Sequence, residues 1–137
     1  MKLRIRGNSI RLRLGKSEVR RMLSEGIVEE STTFDISGRQ RLEYILCTGP
    51  NLLAVTASFE AGRIIVRVPN ALVREWAETA KVEINGVQLG SGGRALEILI
   101  EKDFECVDAT DESQEDAFPH PGVTDACLSA QAMQRST

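Results

Sequence analysis

Apolar and charged residues change places at every step through Lys2-Leu3-Arg4-Ile5-Arg6 and again through Ser9-Ile10-Arg11-Leu12-Arg13-Leu14, with Gly7-Asn8 between the two runs. A period of two gives each run one apolar and one basic face. The opening therefore predicts a β-hairpin with Leu3, Ile5, Ile10, Leu12 and Leu14 inward. Ser17 and Gly26 then bracket a segment in which Val19, Met22 and Leu23 recur at helical spacing. Ser as N-cap and Gly past the C-terminus predict a helix of about two turns, with Arg20 and Arg21 in solvent.

Alternation returns further on. Ile27 to Phe34 reads as a strand, Asp35-Ile36-Ser37-Gly38 as a turn, and Leu42, Tyr44 and Leu46 as the buried side of the next strand. Leu53, Val55, Ala57 and Phe59 share a face of a strand that turns at Glu60-Ala61-Gly62 into Arg63–Val68, with Ile64, Val66 and Val68 inward. Pro69 ends that ladder and Asn70 caps a second helix, whose apolar face carries Leu72, Val73, Trp76, Ala77 and Ala80. Asn85-Gly86 lies at the centre of Val82–Leu89, predicting a hairpin that turns there. Glycines 90, 92 and 93 make a loop before a last strand with Leu96, Ile98 and Ile100 on one side.

Runs of hairpins interrupted by two helices predict an α+β fold rather than parallel βαβ winding. The expected architecture is a mostly antiparallel, curled or barrel-like sheet of about six to nine strands with two short helices packed against it. Residues 1–107 form a single globular domain in this reading. Residues 108–137 form an acidic, then polar tail, largely disordered, with docking at 118–121 through Phe118, Pro119 and Pro121.

Composition narrows the chemistry. Aromatic residues are only 4% of the chain against 42% apolar, so aliphatic side chains must build the core, and a broad aromatic platform for a ligand is not expected. No stretch approaches the roughly 18 apolar residues of a membrane span, and Met1-Lys2-Leu3-Arg4 has no signal-peptide character. A soluble cytoplasmic protein with no membrane partner is expected. Cys47, Cys106 and Cys127 are odd in number and widely spaced, which argues against disulfides and zinc and for buried, inert thiols. No cofactor and no metal is expected.

The net charge of −3 conceals two opposed blocks. Residues 1–21 hold eight cations against Glu18 alone, a net +7, while residues 101–117 hold eight carboxylates against Lys102 alone, a net −7. Such blocks attract each other or serve separate partners. Lys2, Arg4, Arg6, Arg11 and Arg13 form the candidate anion-binding face, because Arg forks donate bidentately to phosphate and carboxylate oxygens. Glu97, Glu101, Asp103 and Glu105 are the candidate charge partners within the chain.

The segment Lys2 to Leu14 resembles the opening of an uncharacterised family of small bacterial proteins, a domain of unknown function. Leu99-Ile100-Glu101-Lys102-Asp103-Phe104-Glu105-Cys106, followed by acidic residues and Phe118-Pro119, resembles that family's closing motif. Trp76 in the second helix is in keeping with it. The resemblance covers roughly residues 1–121 and implies no activity. His120 stands where the family's Phe-Pro-Asn-Pro has Asn, and residues 122–137 run past its usual end.

Other chemistry finds little support. A Ser or Cys nucleophile relies on a His base, and the lone His120 lies between prolines at the edge of the expected tail, so no catalytic residue is assigned. Gly90 to Gly93 lacks the Lys-Ser/Thr of a phosphate loop. Nucleic acid is disfavoured as a partner, because the chain is net acidic and no aromatics interleave with the arginines. The leading expectation is a small non-catalytic binding domain whose basic hairpin contacts an anionic partner, such as an acidic protein segment, or its own acidic C-terminal segment. One alternative is an enzyme acting on a phosphorylated or polyphosphate small molecule inside a curled sheet, which requires Arg11, Arg13, Glu97 and Glu101 to point inward. Another is a structural module that self-associates into a homo-oligomer through edge strands.

Overall fold

In the computed structural model, which describes residues 1–104 and residue 118, eight strands and two helices follow one another along the chain. They are β1 (Lys2–Arg6), β2 (Ser9–Leu14), α1 (Lys16–Ser24), β3 (Ile27–Thr33), β4 (Arg41–Gly49), β5 (Thr56–Glu60), β6 (Arg63–Pro69), α2 (Asn70–Glu78), β7 (Glu83–Leu89) and β8 (Ala95–Lys102). Apart from Phe118, the tail expected over residues 108–137 and its docking at 118–121 lie outside the described residues.

The strands form two four-stranded sheets, ordered β1-β2-β8-β7 and β3-β4-β6-β5. Each sheet consists of two antiparallel hairpins joined through their inner strands, β2 with β8 and β4 with β6, and both joints are parallel. This corrects the expected single sheet, mostly antiparallel and curled or barrel-like: the α+β content stands, but both sheets are mixed and neither closes. Alternation reports which side of a strand is buried, and it carries no information about which strand lies beside it.

Local chemistry also redirects several elements. The cap of α1 is Gly15 rather than Ser17, and the Gly15 N–H donates to Glu18 Oε1 at 2.9 Å. Glu18, three residues into the helix, thus satisfies an otherwise orphaned donor. Pro69 rather than Asn70 precedes α2, and Asn70 Oδ1 instead accepts the Thr48 hydroxyl at 2.8 Å. The expected turn at Asn85-Gly86 does not exist. Strand β7 runs straight through it, and a Cβ on Gly86 would fall 2.6 Å from the Cβ of Val55, so this glycine admits a close neighbour rather than a reversal. The reversal comes later, between β7 and β8. Strand β5 starts at Thr56, leaving Leu53 in solvent, and Phe59 is also exposed.

A constant offset relates the two halves of the fold. Leu12 and Val66, Leu14 and Val68, Val19 and Val73, and Met22 and Trp76 are each 54 positions apart (12 to 66, 14 to 68, 19 to 73, 22 to 76), and all eight are buried. Helices α1 and α2 obey the same spacing from end to end, as do the left-handed turn residues Gly7 and Ala61. Two backbone bonds repeat it again: Glu97 N–H donates to Asn8 O, and Glu43 N–H donates to Gly62 O. The chain is therefore two ββαββ units, β1-β2-α1-β3-β4 and β5-β6-α2-β7-β8. Each unit contributes one hairpin to each sheet, and each parallel joint unites strands from different units.

The inward faces of both sheets and both helices supply one aliphatic core, with Trp76 fully buried in it. Trp76 Nε1–H donates to Val82 O at 2.9 Å, which satisfies the indole's one donor. Two polar links join the sheets at their flanks. Gln88 of β7 both accepts from Ala57 N–H (2.7 Å) and donates to Ala57 O (2.8 Å) on β5. On the other flank the Met1 amine pairs with Glu18 of α1 and with Glu30 of β3, the latter at 2.8 Å. The helices follow the far ends of β2 and β6, so the end of the fold bearing the Gly7-Asn8 and Ala61-Gly62 turns is left uncapped by them.

Candidate functional site

The five cations of the opening hairpin all project from the outer face of the first sheet. Leu12 and Leu14 on β2, and Ile98 and Ile100 on β8, are buried, so Arg11, Arg13, Glu97 and Glu101 at the intervening positions face the other way. The enzyme reading that needed those four inside the sheet is overturned, because the interior is aliphatic. Its physical cause is the alternation itself: burying the arginines would have exposed Leu12 and Ile98.

Register decides which cations meet carboxylates. In β1 and β2, Lys2 lies directly opposite Arg13, and Arg4 directly opposite Arg11. Glu101 of β8 stands beside Arg13 in the parallel joint and relieves the first pair: Arg13 Nε reaches Glu101 Oε2 at 2.5 Å, and Arg11 Nε approaches the same oxygen at 3.6 Å. Lys2 Nζ pairs with Asp103 at 2.9 Å. Among the described residues Arg4, Arg6 and Glu97 make no ion pair. The structure thus brings Lys2, Arg11 and Arg13 to carboxylates of this chain and leaves Arg4 and Arg6 apart, while Glu105 lies outside the described residues. A hollow of about 250 Å³ opens on this same face, lined by Ser9, Arg11, Asn85, Val87, Glu97 and Leu99 among others.

A second feature escaped the sequence reading. Ile5, Ile10, Leu42, Ala57, Phe59, Ile64 and Leu96 line an apolar groove of about 490 Å³ at the uncapped end. Six of the seven fall into pairs at the repeat offset, Ile5 with Phe59, Ile10 with Ile64, and Leu42 with Leu96. Comparing the chain with itself at that offset was the signal that would have found it. On the second sheet, Glu43 bridges Arg41 and Arg63, at 2.5 and 2.8 Å, beside an open charged hollow of about 520 Å³ that Arg39 and Glu29 also line.

Titration behaviour is perturbed mainly around the Met1 amine. Burial alone would lower the amine's pKa, but hydrogen bonds to Glu18 and Glu30 outweigh it and raise the value above its usual 8.0. Burial likewise works against ionised Glu18, yet the amine and the Gly15 N–H together hold its carboxyl below the usual 4.5. The Tyr44 hydroxyl is pushed up by burial and by the nearby negative charges of Glu30 and Glu18. Cys47 is half-buried, and burial pushes its thiol up against the opposing effect of Arg67. That makes it a poor nucleophile. Cys106 and Cys127 lie outside the described residues.

Among the described residues no group of three or more His, Cys, Asp or Glu is placed to hold a metal ion, and no helix is long and apolar enough to cross a membrane. No curated protein and no solved structure matches the chain. A family model matches residues 1–122, a span that contains the basic hairpin, both helices and the segment through Phe118-Pro119, and the chain belongs to that family, a Family of unknown function (DUF7009).

Proposed function

We propose that this protein is a non-catalytic binding module that receives a polyanionic partner on the outer face of its first sheet. The observation that carries the reading is Arg4 directly opposite Arg11 in an antiparallel pair. Like charges in that position destabilise a sheet. Arg11 shares Glu101 with Arg13, at 3.6 Å against 2.5 Å, and no carboxylate among the described residues pairs with Arg4. An anion laid across β1 and β2 removes the repulsion and uses the Arg forks bidentately. Exposed ion pairs contribute about 0–1 kcal/mol each, so the exposed Lys2 can exchange Asp103 for a partner's anion at little cost.

The test titrates the full chain with inorganic polyphosphate, a DNA oligonucleotide and an acidic peptide across a salt series. Affinity is expected for at least one probe, falling as salt rises. The Arg4→Glu/Arg11→Glu variant is expected to lose about tenfold or more. Asn and Gln in place of the carboxylates at Glu105, Asp108, Asp111, Glu112, Glu115 and Asp116 separate a foreign anion from an internal one, since a rise in affinity means that these residues compete. Absence of salt-dependent binding to all three probes, in the full chain and in this last variant, overturns the reading.

A further inference from the structure

Glu43 of β4 stands directly beside Arg63 of β6 in the parallel joint of the second sheet. It holds two guanidiniums at once, Arg63 through Nε at 2.8 Å and Arg41 through a terminal nitrogen at 2.5 Å. The Glu43 side chain is 18% exposed against 52% for Arg41 and 49% for Arg63, so the carboxylate lies beneath and its two cations reach into solvent. A guanidinium carries five N–H donors, and sharing one carboxylate leaves each arginine with donors to spare. The hollow of about 520 Å³ beside them is also lined by Arg39 and Glu29, neither of which makes an ion pair among the described residues. Arg39 is held at this place by its loop, which Phe34 N–H closes onto Gln40 O at 2.7 Å and Gln40 N–H ties to Asp35 Oδ1 at 3.0 Å. The other half of the molecule shows that the fold does not demand these arginines. At the repeat offset Glu43 corresponds to Glu97 and Arg63 to Ser9, and Glu97 stands beside Ser9 in the other parallel joint as Glu43 stands beside Arg63. Arg41 corresponds to Ala95 and Arg39 to Gly93, so the same joint forms with none of the three cations.

We propose that this hollow is a binding site for a small zwitterionic phosphate monoester, a phosphate and an amine on one short molecule. The phosphate takes the arginine side. Its oxygens accept from the spare N–H groups of Arg39, Arg41 and Arg63, and a tetrahedral dianion offers an acceptor to each of the three forks. The amine takes Glu29, the lining carboxylate that is not already shared between arginines. A simple inorganic anion leaves Glu29 unanswered, and a long polyanion meets it as a repulsive neighbour, so the mixed lining selects against both. The site is on the second sheet and uses none of Lys2, Arg4, Arg6, Arg11 and Arg13, so it does not rest on the polyanion reading of the first sheet.

Isothermal titration calorimetry of the full chain with phosphoethanolamine tests it, with inorganic phosphate and ethanolamine as probes that each carry one half of the chemistry. Saturable binding of phosphoethanolamine is expected at millimolar concentration or below, tighter than that of inorganic phosphate, with none of ethanolamine. Arg39→Ala, at an exposed loop position, is expected to weaken both phosphate-bearing probes about tenfold, whereas Glu29→Gln should weaken phosphoethanolamine alone. Thermal melts verify that both variants are folded. Absence of saturable phosphoethanolamine binding up to about 10 mM overturns the proposal, as does an affinity indifferent to Arg39→Ala or to Glu29→Gln, or equal binding of ethanolamine. Loss of phosphoethanolamine binding in Arg4→Glu/Arg11→Glu but not in Arg39→Ala assigns the phosphate to the first sheet, which overturns this proposal and leaves the polyanion reading standing.

Discussion

Gly86 shows how one residue type can be read in two ways. Glycine after asparagine serves tight turns because it accepts positive φ, yet it also serves wherever another side chain must approach the backbone. Here the second use holds, with Val55 seated against the strand. Gly86→Ala is expected to destabilise the fold by about 1–3 kcal/mol, since a methyl group must displace Val55 from a packed site. Urea unfolding checks this, and Val55→Ala in the same background should recover part of the loss. The pairing of the Met1 amine with Glu18 and Glu30 was not legible either. A main-chain amine belongs to no side-chain pattern, so no periodicity could reveal it.

At the level of elements, alternation located nearly every strand, and the helical spacing of Val19, Met22 and Leu23 and of Leu72, Val73 and Trp76 located the two helices. Helix starts shifted because a backbone N–H was satisfied from inside the helix by Glu18, and because Asn70 was drawn to Thr48. The arginine face was legible in full as a face. Its ion pairs were legible only in part, because they depend on β8 lying beside β2 and that adjacency spans most of the chain. Where β5 meets β7, beside the packing of Val55 on Gly86, one side chain, Gln88, occupies both polar groups of Ala57. Gln88→Leu removes a donor and an acceptor from partly buried backbone and is expected to cost about 1–3 kcal/mol. Gln88→Glu keeps the acceptor alone and should fall between leucine and the native residue. Denaturant midpoints of the two variants rank them.

For the molecule as a whole, stability should respond to pH through the opposite flank. The Met1 amine titrates above its usual value in the folded state, so its contribution is complete below about pH 8 and is lost as pH rises through the folded value. Glu18 titrates below its usual value, so its contribution is present above about pH 4.5 and is lost as pH falls through the folded value. Thermal melts are expected to show a plateau between these limits with a decline on each side. Acetylating the Met1 amine should lower the plateau and flatten the alkaline limb, and Glu18→Gln should flatten the acid limb. An unchanged alkaline limb in the acetylated protein would show that the amine does not hold this flank.

The exchange of hairpins between the two units has a consequence for how such a fold can come apart. Each inner strand finds its parallel neighbour only in the other unit, so neither half possesses a finished sheet. A chain severed between Gly49 and Thr56 would yield two pieces with bare inner edges, each the natural complement of the other. A chain of half the length, carrying one unit alone, could complete both sheets only by finding its own twin. The single polypeptide is, in that sense, a dimer whose subunits have been spliced end to end and can no longer part.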